Sequence, residues 1–291
     1  MTTTITTRKA RAIMHGAISI VNAVATGKGS ALGISLKVTA EVELSKGRGV
    51  RFLTGKHGHG LVNNIIRNTM PREIIETNLI TIRVYSEIPI GYGLKSSSAV
   101  SNAVALACNR LAKQDDIDDS EILEAAVRSS LDAKVSLTGA YDDATACYFG
   151  GFTVTDNYSR RLIRSEKAPE NLTIAILLPR NRIRGDIRKL SNLSDIFIEA
   201  FRLAEAGQYW KAMKLNGVLA SAALSSRYAP VMAALENGAL SASISGNGPS
   251  IAALAYDDEI EQIRLALSKF EGQIIVSKVN NQKADVKIIN G

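Results

Sequence analysis

The segment PIGYGLKSSSAV, Pro89–Val100, decides the fold because it joins an extended segment to a helical one. Before it, residues 78–88 alternate apolar and polar side chains as a half-buried strand does. After it, apolar residues recur at helical spacing over 97–113, which predicts a helix with a buried stripe. A helix N-terminus presents unpaired N–H groups, and Gly91 and Gly93 let the backbone approach a ligand closely. The junction is therefore predicted to bind an anion.

The polar residues of this junction strengthen that prediction. Serine hydroxyls can cap a helix, hydrogen-bond phosphate oxygens or ligate Mg²⁺, and Lys95 adds a mobile cation. The alternative is a plain turn with a serine N-cap. A cap needs only one serine and no lysine, so a phosphate site accounts for more of the residues.

Two better-known phosphate loops do not fit the chain. A P-loop requires G-x-x-x-x-G-K-[ST], but Gly27 and Lys28 are followed by glycine, and Asn22 stands where the first glycine belongs. A Rossmann fingerprint would need a third glycine where Ser96 stands. The sequence thus excludes a Walker-type kinase and the dinucleotide-binding motif.

Strands and helices are mixed along the rest of the chain. Strands are predicted over 33–44, in a pair within 147–156 broken at Gly150 and Gly151, over 172–179, in two segments around the glycine turn of 239–258, and once or twice near the C-terminus. Helices are predicted over 119–131, within 190–236, and over 257–270. Strands come first, helices cluster, and strands return, which favours an α+β fold over a doubly wound parallel sheet.

Composition limits the class of protein. A chain of 291 residues with 46% apolar residues can bury a large core. No apolar stretch is long enough for a membrane helix, and the N-terminus lacks the apolar core of a signal peptide, so we expect a cytoplasmic protein without a membrane partner. Cys108 and Cys147 lie among apolar neighbours, and we expect buried, reduced thiols.

The net charge of +7 predicts an anionic partner. Nucleic-acid binders concentrate basic residues and interleave aromatic ones. Here Lys and Arg are dispersed, with the densest group at 180–189, and aromatic residues make up 5% of the chain. We therefore expect an anionic small molecule and no nucleic acid.

A pair of carboxylates lies in LTGAYDDATACYFGG, residues 137–151. Phosphoryl transfer to a hydroxyl depends on positioning and charge neutralisation, helped by a carboxylate that orients the hydroxyl or accepts its proton. Asp142 and Asp143 are the candidates. The alternative is that they cap a helix beginning near Ala144.

Three segments together resemble the GHMP kinases. PIGYGLKSSSA is similar to their phosphate loop, SISGNGPSIAAL (243–254) to their glycine-rich third motif, and GAISIVNAVATGKGSALGISL (16–36) lies where their first, substrate-side motif belongs. The inserted lysine, the triple serine and the first motif resemble most closely the archaeal shikimate kinases of that family. The order and spacing of three motifs are more specific than any one of them.

The resemblance implies a GHMP kinase fold of two subdomains, residues 1–155 and 156–291, with the nucleotide between them. It implies transfer of the γ-phosphoryl group of ATP to a hydroxyl of shikimate, with Mg²⁺. Counting seven residues back from Gly150 assigns Asp143 as the base, with Asp142 beside it or in the Mg²⁺ shell, and Lys95 joins them in catalysis. The residues expected to bind ATP are Pro89, Gly91, Gly93, Leu94, Lys95, Ser96, Ser97, Ser98, Gly246 and Gly248. Those expected to bind the acceptor are Asn22, Thr26, Lys28, Ser245 and Asn247, and those for Mg²⁺ are Ser97 and Asp143.

Other interpretations stay open at this point. Lys28, in a glycine turn, can hold the carboxylate of the acceptor or simply be solvated. His57 and His59 could pair on a metal, although no cysteine or carboxylate cluster lies near them, and the acidic residues of 115–119 are expected to be a solvated connector. A related kinase for homoserine or mevalonate is the alternative enzyme, and an anion- or nucleic-acid-binding protein without activity is the alternative of another class. A homodimer is possible.

Overall fold

The computed structural model describes residues 7–53, 59–113, 117–136 and 138–290. The strands are β1 Arg8–Val21, β2 Lys28–Lys46, β3 Gly49–Phe52, β4 Asn78–Ser86, β5 Phe152–Asp156, β6 Arg161–Glu166, β7 Leu172–Pro179, β8 Ser241–Ile244, β9 Ile251–Tyr256, β10 Gly272–Lys278 and β11 Asp285–Asn290. The helices are α1 His59–Thr69, α2 Arg72–Thr77, α3 Ser96–Ala112, α4 Asp119–Asp132, α5 Tyr141–Phe149, α6 Ser194–Glu205, α7 Tyr209–Ala223, α8 Ala229–Glu236 and α9 Ile260–Leu267, with a 3₁₀ helix at Ile187–Leu193. None of these helices is long and apolar enough to cross a membrane.

Two sheets organise the chain. The first has seven strands in the order β11-β1-β2-β4-β3, and β5 pairs with β2 and β6 with β5. The second has four strands in the order β10-β7-β9-β8. Among the strands of the described residues, only β3 and β4 run parallel, and the other pairs are antiparallel. The α+β class predicted from the element order is confirmed.

The predicted boundary at residues 155 and 156 follows the change of sheet only in part. It falls inside the β5–β6 hairpin, and β11 returns to the first sheet from the C-terminal end of the chain. The first sheet therefore draws strands from both predicted subdomains. The third motif lies in the second sheet, in the turn between β8 and β9.

Strand β7 shows why residues 172–179 are apolar at nearly every position. The side chains of Ile174, Ile176 and Leu178 belong to the large core shared with the first sheet, whereas Ala175 and Leu177 belong to the core of the second sheet. Because successive strand residues point to opposite faces, a strand buried on both faces is apolar at nearly every position. The exception in β7 is the buried Thr173, whose Oγ1 donates to Asp257 Oδ1 at 2.6 Å.

Helix α3 is buried on nearly every side. It packs against β1, β2, α1, α4 and α5. Its alanines, serines and one cysteine are short, so neighbouring elements can approach it closely from several directions. The small residues after Lys95 thus serve helix packing as well as the anion site. Cys108 and Cys147 are buried free thiols, as expected, and burial raises the pKa of Cys108 to about 12.

One predicted element was wrong. Residues 147–149 were expected to begin a strand, but they form the last turn of α5, and only the residues after Gly151 enter β5. Gly150 ends the helix with φ 71°, and its N–H donates to Ala146 O. A glycine that stops a helix and a glycine that breaks a strand give the same sequence signal, which is why the pattern misled.

Candidate active site

Residues 89–99, which resemble the phosphate loop of the GHMP kinases and are called the phosphate loop below, lie between β4 and the first turn of α3. Gly91, Gly93 and Lys95 all adopt positive φ, of 84°, 79° and 66°. A Cβ on Gly93 would lie 2.0 Å from Ser245 O, so no other residue fits there without displacing the neighbouring backbone. The loop therefore needs glycine for close packing as well as for its backbone conformation.

The N-terminus of α3 has no side-chain cap. The N-cap residue is Lys95, and no side chain accepts a hydrogen bond from the first turn. Ser96 and Ser98 are buried, and Ser97 is exposed. The plain serine cap considered from the sequence is thus not formed, and the first-turn N–H groups are left for an anion.

Lys95 turns its side chain back toward two other elements. Its Nζ lies 2.7 Å from Asp143 Oδ1 and donates to Ser19 Oγ at 2.7 Å. Burial lowers the pKa of Lys95, but attraction first to Asp143 and then to Asp142 outweighs burial, so the pKa lies above its ordinary value. Lys95 therefore stays charged beside the carboxylates.

The two aspartates occupy the first turn of α5, which begins at Tyr141 rather than near Ala144. Neither caps the helix: the N-cap is Ala140, with φ 53° and no side-chain cap bond. Both lie in the first turn, where the positive end of the helix dipole favours a negative charge.

The environments of the two carboxylates differ. Asp142 is 4% exposed, and its Oδ1 accepts a hydrogen bond from Asn157 Nδ2 at 2.7 Å. Burial, and then the charge of Asp143, raises the pKa of Asp142 to about 7, against the opposing effects of Lys95 and Asn157. The contact of Asp143 Oδ1 with Lys95 has the distance of an ion pair but not the alignment of a hydrogen bond, and no other group in the described residues bonds that oxygen. Asp143 is the more exposed of the two carboxylates, with 19% of its side chain accessible, so it is the one that a ligand in the cleft can contact.

The glycine-rich turn after β8 packs directly on the phosphate loop. Ser245 Oγ donates to Gly93 O at 2.8 Å, and Ser250 Oγ donates to Tyr92 O at 2.6 Å. Gly246 leaves room for the lysine, because a Cβ there would lie 3.0 Å from Lys95 Nζ. The two segments that resemble the phosphate loop and the third motif of the GHMP kinases are therefore in direct contact.

These groups line a cleft of about 360 Å³. The predicted residues that line it are Asn22, Pro89, Gly91, Gly93, Leu94, Lys95, Ser96, Ser97, Ser98, Asp142, Asp143, Gly246, Asn247 and Gly248. Asn22 reaches it from the end of β1 and donates from Nδ2 to Gly246 O and Asn247 Oδ1, at 3.0 and 3.1 Å. The three motifs thus converge on one site.

Three predicted acceptor-binding residues lie outside that lining. Thr26 Oγ1 donates to Lys28 O and accepts from Lys28 N. Lys28 Nζ lies 5.4 Å from the ring centre of Phe201. Ser245 is fully buried between the phosphate loop and β1, where it accepts from Ser19 N at 3.2 Å. The structure therefore does not bring Thr26, Lys28 or Ser245 into the cleft.

Sequence reasoning missed several residues of the lining, including Ser19, Thr138, Lys134 and Arg184. Arg184 Nη2 donates to Gly91 O, so this arginine crosses from the second half of the chain to the phosphate loop. It belongs to the basic group at 180–189, which was a usable signal. Lys134 and Ser19 had no comparable signal, because one lies in a loop at positive φ and the other in a buried strand.

A second cavity of about 220 Å³ shares Arg184 and Asn247 with the cleft. Arg180, Arg227 and Glu271 also line it. The rest of the lining includes the apolar side chains of Leu177, Ile244 and Ile251. No carboxylate of the described residues lies within ion-pair distance of any of the three arginines. The lining therefore carries three arginines against one glutamate, which is a net positive charge next to the cleft.

The pairing of His57 and His59 on a metal, raised as an alternative from the sequence, cannot be examined, because His57 lies outside the described residues, as do Asp115 and Asp116. In the part of the chain that is described, no group of three or more His, Cys, Asp or Glu side chains could hold a metal ion. A metal site built only from protein ligands is therefore not formed by these residues.

Comparisons with known proteins agree with this geometry. Residues 61–151 match the GHMP kinases N terminal domain, and residues 198–272 match the GHMP kinases C terminal domain. The shikimate kinase of Methanothermobacter thermautotrophicus is 37% identical over 275 residues, which cover 92% of this chain and 94% of the relative. The shikimate kinase of Pyrococcus abyssi is 39% identical over 273 residues, which cover 90% and 96%.

Solved structures share the fold at lower identity. The homoserine kinase from Cytophaga hutchinsonii superposes with a TM-score of 0.73 at 23% identity, covering 99% of both chains. The Methanococcus jannaschii mevalonate kinase gives a TM-score of 0.71 at 16% identity, covering 97% of this chain and 100% of that one.

Fold, cleft and relatives together define a small-molecule kinase, with ATP as the phosphate donor that its family implies. The chain belongs to the GHMP kinases. The family, the fold class and the kinase activity predicted from the sequence are confirmed.

Proposed function

We propose that this protein transfers the γ-phosphoryl group of ATP to a hydroxyl of shikimate. The observation that carries the proposal is the meeting of the uncapped N-terminus of α3, the Lys95–Asp143 pair and the glycine-rich turn in one cleft. Relatives named shikimate kinase at 37% and 39% identity support shikimate as the acceptor.

The ATP phosphates are assigned to the mouth of the phosphate loop. There the N–H groups of the first turn of α3 and the exposed hydroxyl of Ser97 face the cleft. Helix N–H groups bind anions without a charged side chain, and the buried ammonium of Lys95, beside Asp143, adds a positive charge. In this assignment the phosphates would lie beside the carboxylate of Asp143, which pairs with Lys95.

Asp143 is assigned as the group that orients the acceptor hydroxyl and takes its proton. Its side chain lines the cleft and is 19% exposed, whereas Asp142 is 4% exposed and its Oδ1 is held by Asn157. Asp142 is accordingly assigned to supporting the site rather than to the proton transfer.

The residues present fit a Mg²⁺ ion bound mainly by substrate phosphates. Mg²⁺ is commonly held by one or two carboxylates together with phosphates and water, and Ser97 and Asp143 supply a hydroxyl and a carboxylate at the cleft. When bound, the ion would neutralise phosphate charge. Its requirement is tested by titrating turnover with a chelator and restoring it with Mg²⁺.

The acceptor carboxylate is assigned to the arginine-lined cavity in place of Lys28. Arg184 reaches both the cavity and the phosphate loop, and Arg227 faces the same cavity. An arginine guanidinium can form two parallel hydrogen bonds to a carboxylate, and the apolar side chains of the lining can pack on a carbon ring. The acceptor would then extend from this cavity toward Asp143.

The test is ADP release, measured by a coupled assay, across a panel of shikimate, homoserine and mevalonate. We expect MgATP-dependent turnover with shikimate and little with the other two acceptors. Turnover of homoserine or mevalonate without shikimate would refute the acceptor and leave the kinase standing. A shift of melting temperature with RNA or DNA but not with MgATP would favour the non-enzymatic alternative.

A further inference from the structure

Ser19 occupies the point where three elements of the site meet. It lies near the end of β1, is 1% exposed, and lines the cleft. Its Oγ accepts a hydrogen bond from Lys95 Nζ at 2.7 Å and another from Gly246 N at 3.0 Å. One hydroxyl thus contacts both the lysine of the phosphate loop and the glycine-rich turn.

These two bonds fix the direction of the hydroxyl proton. A serine hydroxyl has two acceptor positions and one donor position, and both acceptor positions are already filled by N–H donors. In the described part of the chain, no group accepts the remaining proton. The neighbouring hydroxyls differ, because Ser245 donates to Gly93 O and Ser250 donates to Tyr92 O. Ser19 is therefore the hydroxyl at this junction with a proton to give to a ligand.

We propose that the Ser19 hydroxyl donates a hydrogen bond to a non-bridging oxygen of the phosphoryl group in transfer. The inference rests on the phosphoryl transfer proposed above. In that reaction the oxygen–phosphorus bond to ADP breaks, the bond to the acceptor oxygen forms, and Asp143 takes the acceptor proton. Ser19 keeps its own proton throughout.

The physical reason is preorganisation. Negative charge is spread over the three equatorial oxygens of the transferred group, so a donor held in place before the reaction stabilises the transition state. Donation from the Lys95 ammonium polarises the Ser19 hydroxyl and strengthens its own donation. Lys95 thus acts on the phosphoryl group partly through Ser19.

The test compares a ground-state ligand with a transition-state analogue. Calorimetric titrations measure the Kd of MgADP alone and the Kd of MgADP with aluminium fluoride and shikimate, for the wild type, Ser19→Ala and Ser245→Ala. We expect Ser19→Ala to weaken the aluminium fluoride complex by about tenfold to a hundredfold while the Kd of MgADP changes less than about threefold. Ser245→Ala removes bonds at the same junction but no ligand-facing proton, so its two Kd values should change by a similar factor.

Equal weakening of both complexes in Ser19→Ala would overturn the assignment, because Ser19 would then only hold the loop. If Ser19→Ala does not fold, Ser19→Cys carries the test, since a thiol fills the site but donates weakly; an unchanged ratio of the two Kd values would again overturn it. If the wild type turns over shikimate and Ser19→Ala has the same ratio of the two Kd values as the wild type, this inference alone is refuted. A wild type that forms no aluminium fluoride complex and has no turnover refutes the proposed function as well.

Discussion

At the residue scale, the two adjacent aspartates are expected to respond very differently to the same substitution. Asp143→Asn keeps the shape of the side chain but removes the charge that orients the acceptor hydroxyl, so kcat should fall by about two orders of magnitude or more with little change in ATP affinity. Asp142→Asn keeps an oxygen that can accept from Asn157, and its effect should be smaller. Steady-state ADP release and MgADP titration measure both. A crippled Asp142→Asn beside a normal Asp143→Asn would show that the roles are reversed.

The cations of the acceptor site give a second residue-scale prediction. Arg184→Ala should raise the KM of shikimate by about tenfold or more, and that of ATP less, because it removes charge-assisted hydrogen bonds to the carboxylate. Arg188→Ala is the matched control, since Arg188 lies in the same segment, is exposed and pairs with Asp186 at 2.8 Å. Lys28→Ala should leave the KM of shikimate nearly unchanged. A larger effect of Lys28→Ala than of Arg184→Ala would restore the acceptor role first predicted for Lys28.

The sequence predicted the residues whose signal is local. Gly91, Gly93 and Lys95 could be found because a loop before a helix needs particular residues at fixed spacing. Ser19 could not, because its role depends on a contact with Lys95, 76 positions away in the chain. Arg184 contacts Gly91 across 93 positions, and only its basic neighbours hinted at a role.

At the scale of elements, Asn157 fixes the start of α5 relative to the first sheet. Its Oδ1 accepts from Asp142 N at 3.0 Å, its Nδ2 donates to Asp142 Oδ1, and its own N–H donates to Gly27 O at 2.7 Å. It is 2% exposed. One buried asparagine therefore joins the start of α5, through its side chain, to the turn before β2, through its backbone N–H.

Asn157→Ala should therefore lower both stability and turnover. The carboxylate of Asp142 and its backbone N–H would lose a buried partner, which costs about 1 to 3 kcal/mol of unfolding free energy, and α5 would be less well fixed. Urea unfolding and kcat measure the two effects. Asn281→Ala is a suitable control, since Asn281 also bonds backbone groups, those of Ala168, but does not line the cleft. It should lose stability without a matching fall in kcat.

The ion pairs on β1 and β2 give a pH dependence of stability. Glu41 is 7% exposed and lies 2.7 Å from both Lys9 Nζ and Arg11 Nη2. Burial alone would raise the pKa of Glu41, but its bonds to Lys9 and Arg11 outweigh burial and lower it. A depressed folded-state pKa adds stability above the unfolded value, near 4.5, and that stability is lost as the pH falls below it.

Glu41→Gln should thus destabilise the protein by about 1 to 3 kcal/mol at pH 7, and the difference from wild type should shrink below about pH 4. Chemical denaturation at several pH values measures it. A difference that stays constant from pH 7 to pH 3 would contradict the assignment of the effect to these ion pairs.

Periodic elements were predictable and their ends were not. The runs at 78–88 and 172–179 became β4 and β7 because burial of one or both strand faces leaves a clear pattern. The start of α5 was not predicted, and a helix near Ala144 was only the alternative for the two aspartates. Ala140, in a left-handed conformation without a capping side chain, gives no start signal. Packing of α5 against β1, β2 and β5 fixes its start instead.

At the scale of the whole molecule, the cleft is built from both sheets. Its lining comes from β1 and α5 in the first half of the chain and from the turn between β8 and β9 in the second. A ligand held there contacts elements from both, so binding should stabilise the fold as a whole. A ligand that binds only the native state at one hundred times its Kd adds about 2.7 kcal/mol to the free energy of unfolding.

We therefore expect saturating MgATP to raise the melting temperature by several degrees. Lys95→Ala should reduce this shift strongly, because the variant removes the buried ammonium below the phosphates and leaves Asp143 without its ion-pair partner. Lys211→Ala is the control for loss of a lysine, since Lys211 is exposed on α7 and bonds only Gln208 among the described residues. Thermal unfolding at a fixed protein concentration, with and without MgATP, measures the shift in melting temperature for Lys95→Ala and for the control Lys211→Ala. The same shift in Lys95→Ala as in the wild type would mean that ATP binds away from the phosphate loop, and the site would then have to be sought elsewhere in the cleft.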